Sequence, residues 1–377
     1  MLTAIIIFIL LGFFGLLGYY LSRRIFQGLT YFLPRLKFWH VLVFFQAMTL
    51  WMLLGFASSM LPVSPGAKQI LNRIGMSWMG VFIYLLLFTV LGDLIGLVFK
   101  RTPAFRAIRM VCVVVLALAT VVYGRIHVNQ IQVVTYEVTV QNKTDISDMN
   151  IVLISDLHLG ALGSEERLSR VVSRINSLEP DLVCIAGDVF DTDFDTIRDP
   201  QKAINTLRKL SATYGIYACL GNHDAGQTAG KMLDFLEACD IQVLNEAYTV
   251  IDDRLILAGR LDGSPIGDYP ALQRGDLADF LKDYDTNLPV IVLDHNPGHI
   301  DEYTDQVDLV LSGHTHQGQM FPANIFTHWM YAIDYGHGHP HKDGPQLIVT
   351  SGVGYWGMPM RIGTDCEIVQ IRIGTIY

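Results

Sequence analysis

The 377 residues are 51% hydrophobic and only 17% charged, with a net charge of −9, against roughly 25% charged residues in an ordinary soluble domain; part of the chain is not built for water. The charge is also divided, because residues 1–125 hold 11 of the 27 Lys and Arg and one acid, Asp93, leaving 16 basic against 35 acidic residues in the remainder. So acidic a remainder argues against a nucleic-acid partner, since phosphate neutralisation needs Lys and Arg.

Four apolar stretches open the chain, at about 2–22, 39–62, 77–99 and 107–124. Each is near the ~20 residues that cross a bilayer as a helix. The first lacks a basic leader and a small-residue cleavage site, so it is expected to be a span and not a signal peptide. Arg23, Arg24, Arg35 and Lys37 join the first two spans, and Lys100, Arg101, Arg106 and Arg109 join the last two. Only Lys68 and Arg73 lie between the second and third. The excess of positive charge near cytoplasmic loops predicts a multi-pass protein of the cell membrane whose residues after 124 lie outside the cytoplasm. Asp93, near a span end, is expected to snorkel or pair. The five cysteines show no framework spacing, and no disulfide is predicted.

Beyond residue 125 a second domain, 126–377, is expected. "IQVVTYEVTV" reads as a β-strand. Strands then alternate with amphipathic helices: strand 150–155, helix 164–178, strand 181–186, helix 199–210, strand 214–219 and helix 229–239. Further strands are expected near 254–259, 289–293, 307–311, 346–351 and 367–372. Wholly apolar runs such as "LVCIA" suit central strands covered on both faces. The class is α/β, in layers.

Each strand ends in polar residues. "ISDLHLG" places Asp156 and His158 one residue apart at the end of a strand, so alternation of side chains is expected to point them the same way. "AGDVFD" follows with Asp188 and Asp191, "LGNHD" with Asn222, His223 and Asp224, "LDHNP" with His295, and "LSGHTHQGQ" with His314 and His316. Ligands of open α/β sheets bind at the carboxyl ends of strands. A helix cap or surface pair explains any one of these motifs but not five together. Seven O and N donors (Asp156, His158, Asp188, Asn222, His295, His314 and His316) fit two divalent cations better than one, the arrangement used for displacement at phosphorus. Mn, Zn, Fe, Co and Ni all accept such ligands. No thiolate is present, which argues against a zinc finger or iron–sulfur site.

The order D-x-H, GD-x-x-D, GNH-D, isolated H, GH-x-H resembles the calcineurin-like metallophosphoesterases over about 150–375. The resemblance implies a layered α/β/β/α sandwich, here preceded by a four-helix transmembrane anchor. It further implies one cation on Asp156, His158 and His316, a second on Asn222, His295 and His314, and Asp188 bridging. His223 would stand beside the leaving or attacking oxygen as a catalytic residue, oriented by Asp191; Asp224 is the alternative. "GVGYWGMPMRIG" resembles a membrane-associated bacterial branch of the family. Gln317 departs from that branch's GHTHGGQ, and Cys366 stands where a proline is common.

The resemblance thus implies a metal-dependent phosphoric ester hydrolase acting on phosphodiester or phosphomonoester bonds. Its partners would be the lipid bilayer and a phosphorylated, lipid-linked substrate. The apolar "FPANIFTHWMYAIDYG" after the GH-x-H motif, with Phe321, Ile325, Phe326, Trp329, Met330 and Tyr331, is either ordinary core or an exposed lip that admits a lipid headgroup. Alternatives are a non-catalytic membrane scaffold on the same fold, a transporter with the phosphoesterase domain as an accessory, and a phosphoesterase acting on soluble nucleotides. "HGHPH", with His337, His339 and His341, is expected to be a surface loop, or else the substrate entrance.

Overall fold

The computed structural model describes residues 2–99, 102–141, 146, 149–267, 269, 273–276, 287–342 and 344–376. The chain divides into two compact units, Met1–Ile126 with Gly357–Met360, and His127–Trp356 with Arg361–Tyr377.

Four helices make the first unit: α1 (Leu2–Phe32), α2 (Phe38–Phe56), α3 (Pro65–Ile95) and α4 (Pro103–His127). All four are long and apolar enough to cross a membrane. Helices α1, α3 and α4 reach beyond their expected apolar windows at one or both ends, whereas α2 stops at Phe56 and α3 at Ile95, short of the expected 62 and 99. Arg23 and Arg24 therefore lie inside α1 and not in a joint, Lys68 and Arg73 lie in α3, and Arg106 and Arg109 lie in α4. Lys100 and Arg101 lie outside the described residues. Asp93 is paired: it accepts a hydrogen bond from Tyr20 Oη at 2.7 Å, meets Arg24 Nε at 2.7 Å and also contacts Arg109. The pairing is the outcome expected for an acid near a span end.

The second unit is a sandwich of two six-stranded sheets. Its strands are β1 (Ile131–Gln141), β2 (Asn150–Ile154), β3 (Leu182–Ala186), β4 (Ile216–Cys219), β5 (Gln242–Val243), β6 (Ala247–Ile251), β7 (Leu255–Gly259), β8 (Val290–Leu293), β9 (Leu309–Ser312), β10 (Gly336–Gly338), β11 (Gln346–Val349) and β12 (Cys366–Ile376). The first sheet runs β1-β12-β2-β3-β4-β5 and the second β10-β11-β9-β8-β7-β6. Within them β2, β3 and β4 are mutually parallel, as are β7, β8 and β9.

The period-2 alternation of side chains sets the layers. Ile151, Leu153, Leu182 and Cys184 of the first sheet meet Leu257, Ile291, Leu293 and Leu309 of the second in a buried inner core. The opposite face of the first sheet, with Val152, Ile154, Val183 and Ile185, is covered by α5 (Leu168–Asn176), α6 (Pro200–Leu207) and α7 (Ala229–Ala238). Helix α5 buries Leu168, Val171, Val172 and Ile175 and leaves Arg170 and Arg174 outside, the 3-4 spacing of one helical face. Each fully buried aliphatic side chain contributes roughly 1.5–3 kcal/mol. Helix α6 starts where Asp199 accepts from the Lys202 N–H and Pro200 takes the first turn. The outer face of the second sheet packs on Ile300 and Tyr303, in and just after the 3₁₀ turn Pro297–Glu302.

Three differences from the sequence reading are local. The helix expected from residue 164 opens as a 3₁₀ turn, Ser164–Arg167, before α5. Strands β5, β6 and β10 are not among those expected: β5 and β10, two and three residues long, are too short to show a period, and β6 is mostly exposed without a clear alternation. Helix α8 (Ala323–Met330) forms inside the apolar segment after the GH-x-H motif.

Candidate metal centre

Three loops after β2, β3 and β4 and two after β8 and β9 carry the polar motifs, so both sheets deliver them from the carboxyl ends of parallel strands. Asp156 and His158 do not share a face of β2, as alternation would have it. The strand ends at Ile154, and both residues sit in the left-handed region, with φ of 56° and 47°. Asp188, His314 and His316 do the same, at 52°, 68° and 49°. Five non-glycine residues in a sparsely populated conformation mark a backbone bent to aim side chains.

Three groups of donors result, one of which, His158 with Asp191 and His223, shares His158 with the first of the two described next. Asp156, His158 and His316 form one, and Asp188, His295 and His314 the other, with donor atoms of each within 4.8 Å of one another. In the first, Nε2 of His158 lies 3.1 Å from Nε2 of His316, which is 3.3 Å from Asp156 Oδ1. In the second, His295 Nε2 lies 3.2 Å from Asp188 Oδ2 and 3.3 Å from His314 Nδ1, and His314 Nδ1 is 2.9 Å from Asn222 Oδ1. Asp188 stands between them, since the same Oδ2 is 3.7 Å from His158 Nε2. Its other oxygen accepts the His223 N–H at 2.8 Å. The backbone comes close enough for this only without side chains: a Cβ at Gly221 would strike Asp188 Oδ1, and one at Gly313 would strike Ser155 and Asp156.

The donors fit divalent cations. Asp156 Oδ1 is buried and accepts no hydrogen bond, while Oδ2 takes the Ser155 hydroxyl and the His314 N–H. A buried carboxylate oxygen left so is costly unless a cation meets it. His295 turns Nδ1 to the Ala186 carbonyl at 2.7 Å, leaving Nε2 for the cluster, as metal-bound histidines do. Burial holds His314 and His316 below the ordinary histidine range, so both are neutral, the form that ligates. Burial would also lower His295, but the Asp188 carboxylate outweighs it and raises the ring well above the usual value. The reciprocal attraction holds Asp188 low against its own burial. A cation there would replace that proton.

His223 is buried beside the first cluster, its ring 5.0 Å from that of His158 and 6.0 Å from that of Trp356. Asp191 Oδ1 is 3.7 Å from His223 Nδ1, whereas Thr192 Oγ1 is 2.8 Å away. Asp224 is occupied elsewhere, accepting the N–H groups of Val189, Phe190 and Gly221. Burial and the Asp188 carboxylate push its carboxyl up to about 7.

Thr192, Arg361 and Gln319 were not singled out from sequence. Arg361 is fully buried and donates to the carbonyls of His316 at 2.7 Å, Ser351 at 2.6 Å and Gly354 at 2.9 Å. The Gln319 amide clamps both backbone groups of Trp356, at 2.8 and 2.9 Å. An arginine in the "MPMRIG" tail was the available signal; the other two contacts join distant segments and leave no local pattern. Gln317 holds φ 52°, where the related pattern has glycine. The Cys366 thiol donates to the Gly354 carbonyl at 3.2 Å. His337 bonds Gln346 at 3.0 Å and His341 bonds Asp301 at 2.7 Å. Among the described residues, none of the three histidines of "HGHPH" joins a group able to hold an ion.

Helix α8 buries none of its residues. Trp329 and Met330 are 75% and 73% exposed, and Phe326 59%. Asp334 ties the helix to the site, its carboxylate accepting from Thr327 at 3.0 Å and its carbonyl from Thr315 at 2.6 Å. The Tyr331 ring lies 6.3 Å from that of His314.

The calcineurin-like phosphoesterase family matches residues 149–318, which carry every strand-end motif. A Helicobacter pylori protein called "Uncharacterized metallophosphoesterase" is 32% identical over 233 residues, 60% of this chain and 60% of its own length. The chain thus spans less than two thirds of that relative. A Danio rerio "Transmembrane protein with metallophosphoesterase domain" is 31% identical over 327 residues, covering 80% of this chain and 73% of the relative. An Aquifex aeolicus "Uncharacterized metallophosphoesterase" is 30% identical over 254 residues, 67% and 95% of the two chains. This chain belongs to the calcineurin-like metallophosphoesterases, with four N-terminal helices able to span a membrane. The relatives are bacterial and eukaryotic alike, so they do not place it in a bacterial branch.

Proposed function

We propose that the chain is a membrane-anchored phosphoesterase that hydrolyses a phosphodiester or phosphomonoester on a lipid-linked substrate. The observation that carries the hydrolytic reading is the pair of O/N clusters joined by Asp188, with Asp156 Oδ1 buried and accepting no hydrogen bond. Asp156, His158 and His316 would hold one divalent cation, Asn222, His295 and His314 the other, and Asp188 would bridge. When bound, two such cations neutralise phosphoryl oxygens and make water a competent nucleophile near neutral pH. His223, buried beside His158, hydrogen-bonds the leaving oxygen and supplies its proton. The buried Ser155, His314 N–H and Arg361 contacts hold the acidic and imidazole groups in place while the ester changes.

The lipid assignment rests on α8. A lip of Phe321, Phe326, Trp329 and Met330 beside the GH-x-H loop suits an interfacial surface, where aromatic and aliphatic side chains enter the headgroup boundary. Only three residues separate α4 from β1, a short tether to the last span. The Lys and Arg bias of the first unit favours an extracytoplasmic catalytic domain, and an export-dependent reporter fused to the C-terminal end would be active only in that orientation. The substrate test is a panel. Polyprenyl phosphates and phospholipids in detergent are expected to exceed nucleotides and sugar phosphates in kcat/KM; nucleotides prevailing would remove the lipid assignment and leave the hydrolytic one.

A further inference from the structure

Resting on the phosphoesterase reading above, we infer that Thr192 is the positioning residue for His223, holding its imidazole at Nδ1 so that Nε2 serves the leaving oxygen. Three groups were available for that duty, and the distances separate them. Thr192 Oγ1 is at hydrogen-bond distance, 2.8 Å, from Nδ1. The Asp191 carboxylate, at 3.7 Å, is outside it and contributes only its field. Both Asp224 oxygens are engaged by backbone N–H groups, at 3.3 Å from Val189 and 2.9 Å from Phe190 and Gly221.

The backbone around Thr192 is built for the contact. Its φ is 63°, a left-handed conformation that a β-branched residue seldom adopts. The segment is held there from outside. Thr228 Oγ1 donates to the Thr192 carbonyl at 3.4 Å and accepts the Phe194 N–H at 3.1 Å, binding residues 192–194 to the start of α7. Strain maintained by such over-determination is found where a side chain must be aimed.

The consequence is chemical. An imidazole fixed at Nδ1 by a neutral hydroxyl presents one nitrogen, Nε2, to the reaction. Water oxygen bonds to phosphorus as the ester P–O bond breaks, and the electron pair of that bond goes to the leaving oxygen. The imidazolium, its Nδ1–H donated to Thr192 Oγ1, gives its Nε2 proton to the leaving oxygen and becomes neutral, while the proton lost by the attacking water passes to solvent, from which the imidazolium is restored. Groups that leave well as anions need this proton little. Poor leaving groups need it most, so loss of Thr192 should be felt in proportion to leaving-group basicity.

The test uses the full chain purified in detergent and supplied with Mn²⁺, on phosphodiester reporters releasing 4-nitrophenol, phenol or an alcohol. Thr192→Val should lower kcat on the poorest leaving group by about tenfold or more, a part of the 10²–10⁴ ascribed to general acid catalysis. KM and metal content should be unchanged, and the defect should shrink toward 4-nitrophenol. Thr192→Ser should restore turnover, and Asp191→Asn should cost less than Thr192→Val. In a His223→Ala background, Thr192→Val should add nothing. A uniform loss on all reporters, wild-type turnover in Thr192→Val, or additivity with His223→Ala would overturn the assignment. Should Thr192→Val fail to fold, the comparison of Thr192→Ser with Asp191→Asn decides it: Asp191→Asn alone reproducing the leaving-group dependence would assign the role to Asp191. A wild-type protein inert on every reporter with every cation would instead defeat the phosphoesterase reading itself.

Discussion

The guanidinium of Arg361 donates to the backbone carbonyl of His316 at 2.7 Å and lies 3.3 Å from Nδ1 of the same residue. It also spans the carbonyls of Ser351 and Gly354, so one buried cation fixes the GH-x-H loop to the segment after β11. The planar fork of donors is what makes this possible, and a lysine cannot reproduce it. Arg361→Lys is expected to weaken Mn²⁺ binding by about 10–100-fold, the usual effect of losing an outer-shell partner. Calorimetric titration of the purified protein measures it; an unchanged affinity would show that the loop holds its own shape.

Asp294, next to His295 in sequence, anchors a buried network. Its carboxylate accepts from Tyr303 Oη at 2.7 Å, pairs with Arg274 at 2.8 Å and lies 3.3 Å from His299 Nδ1. Burial alone would raise its pKa, but the His299 bond and the Arg274 charge outweigh that and hold it at about 2. The native value lies below the ~3.9 of an unfolded aspartate. The pairing therefore stabilises fully above about pH 5 and is lost as pH falls toward 2, worth roughly 2 kcal/mol. Denaturation of the wild type and of Asp294→Asn should differ most at neutral pH and converge only as pH falls to about 2 and below. A difference that does not shrink with acid would assign the stabilisation to packing.

Much of this was legible in the chain. Wholly apolar strands, four long apolar helices and five polar strand ends are local patterns, and each kind of element is present, although the helix bounds differ from those expected. The route by which Asp156 and His158 converge was not legible. Strand alternation gave the right neighbours for a wrong reason, since left-handed backbone beyond β2 aims them. Thr192 and Gln319 bond across long separations, so nothing near them in sequence announces a partner, whereas Arg361 is marked by its place in the "MPMRIG" tail.

Gln317 shows how little such a departure need cost. At φ 52° and ψ 31° it occupies a conformation favouring glycine. Gln317→Gly should change stability by only about 0.5 kcal/mol, relief of strain being offset by glycine's greater entropy loss. Gln317→Val should destabilise by about 1–2 kcal/mol, because a β-branched side chain fits that region worst. Thermal melts of the two variants check the order, and a stable Val variant would mean the loop can re-form with another backbone.

The lip makes a separate prediction. Phe326 and Trp329 pack edge to face on each other, 6.1 Å apart, on the exposed side of α8. Since α8 buries none of its residues, Phe326→Ser with Trp329→Ser should leave the melting temperature nearly unchanged. The same double variant should raise KM for a lipid phosphate presented in micelles, by about tenfold for loss of 1–2 kcal/mol of interfacial contact. Turnover of a small soluble reporter should be unaffected. Equal losses on both substrates would place the helix in folding and not in lipid contact.

The central claim is that Asp188 joins two cation sites built by Asp156, His158, Asn222, His295, His314 and His316. It is tested most directly by metal content and hydrolysis measured on the same purified samples. Wild type is expected to hold two divalent transition ions per chain and to lose hydrolysis with EDTA, regaining it on adding back metal. Asp188→Asn and His314→Ala should lower both metal content and activity, while His223→Ala keeps the metal and loses turnover by about 10²–10⁴. A metal-free preparation with full activity, or an Asp188→Asn protein that still holds two ions and turns over normally, would contradict the account.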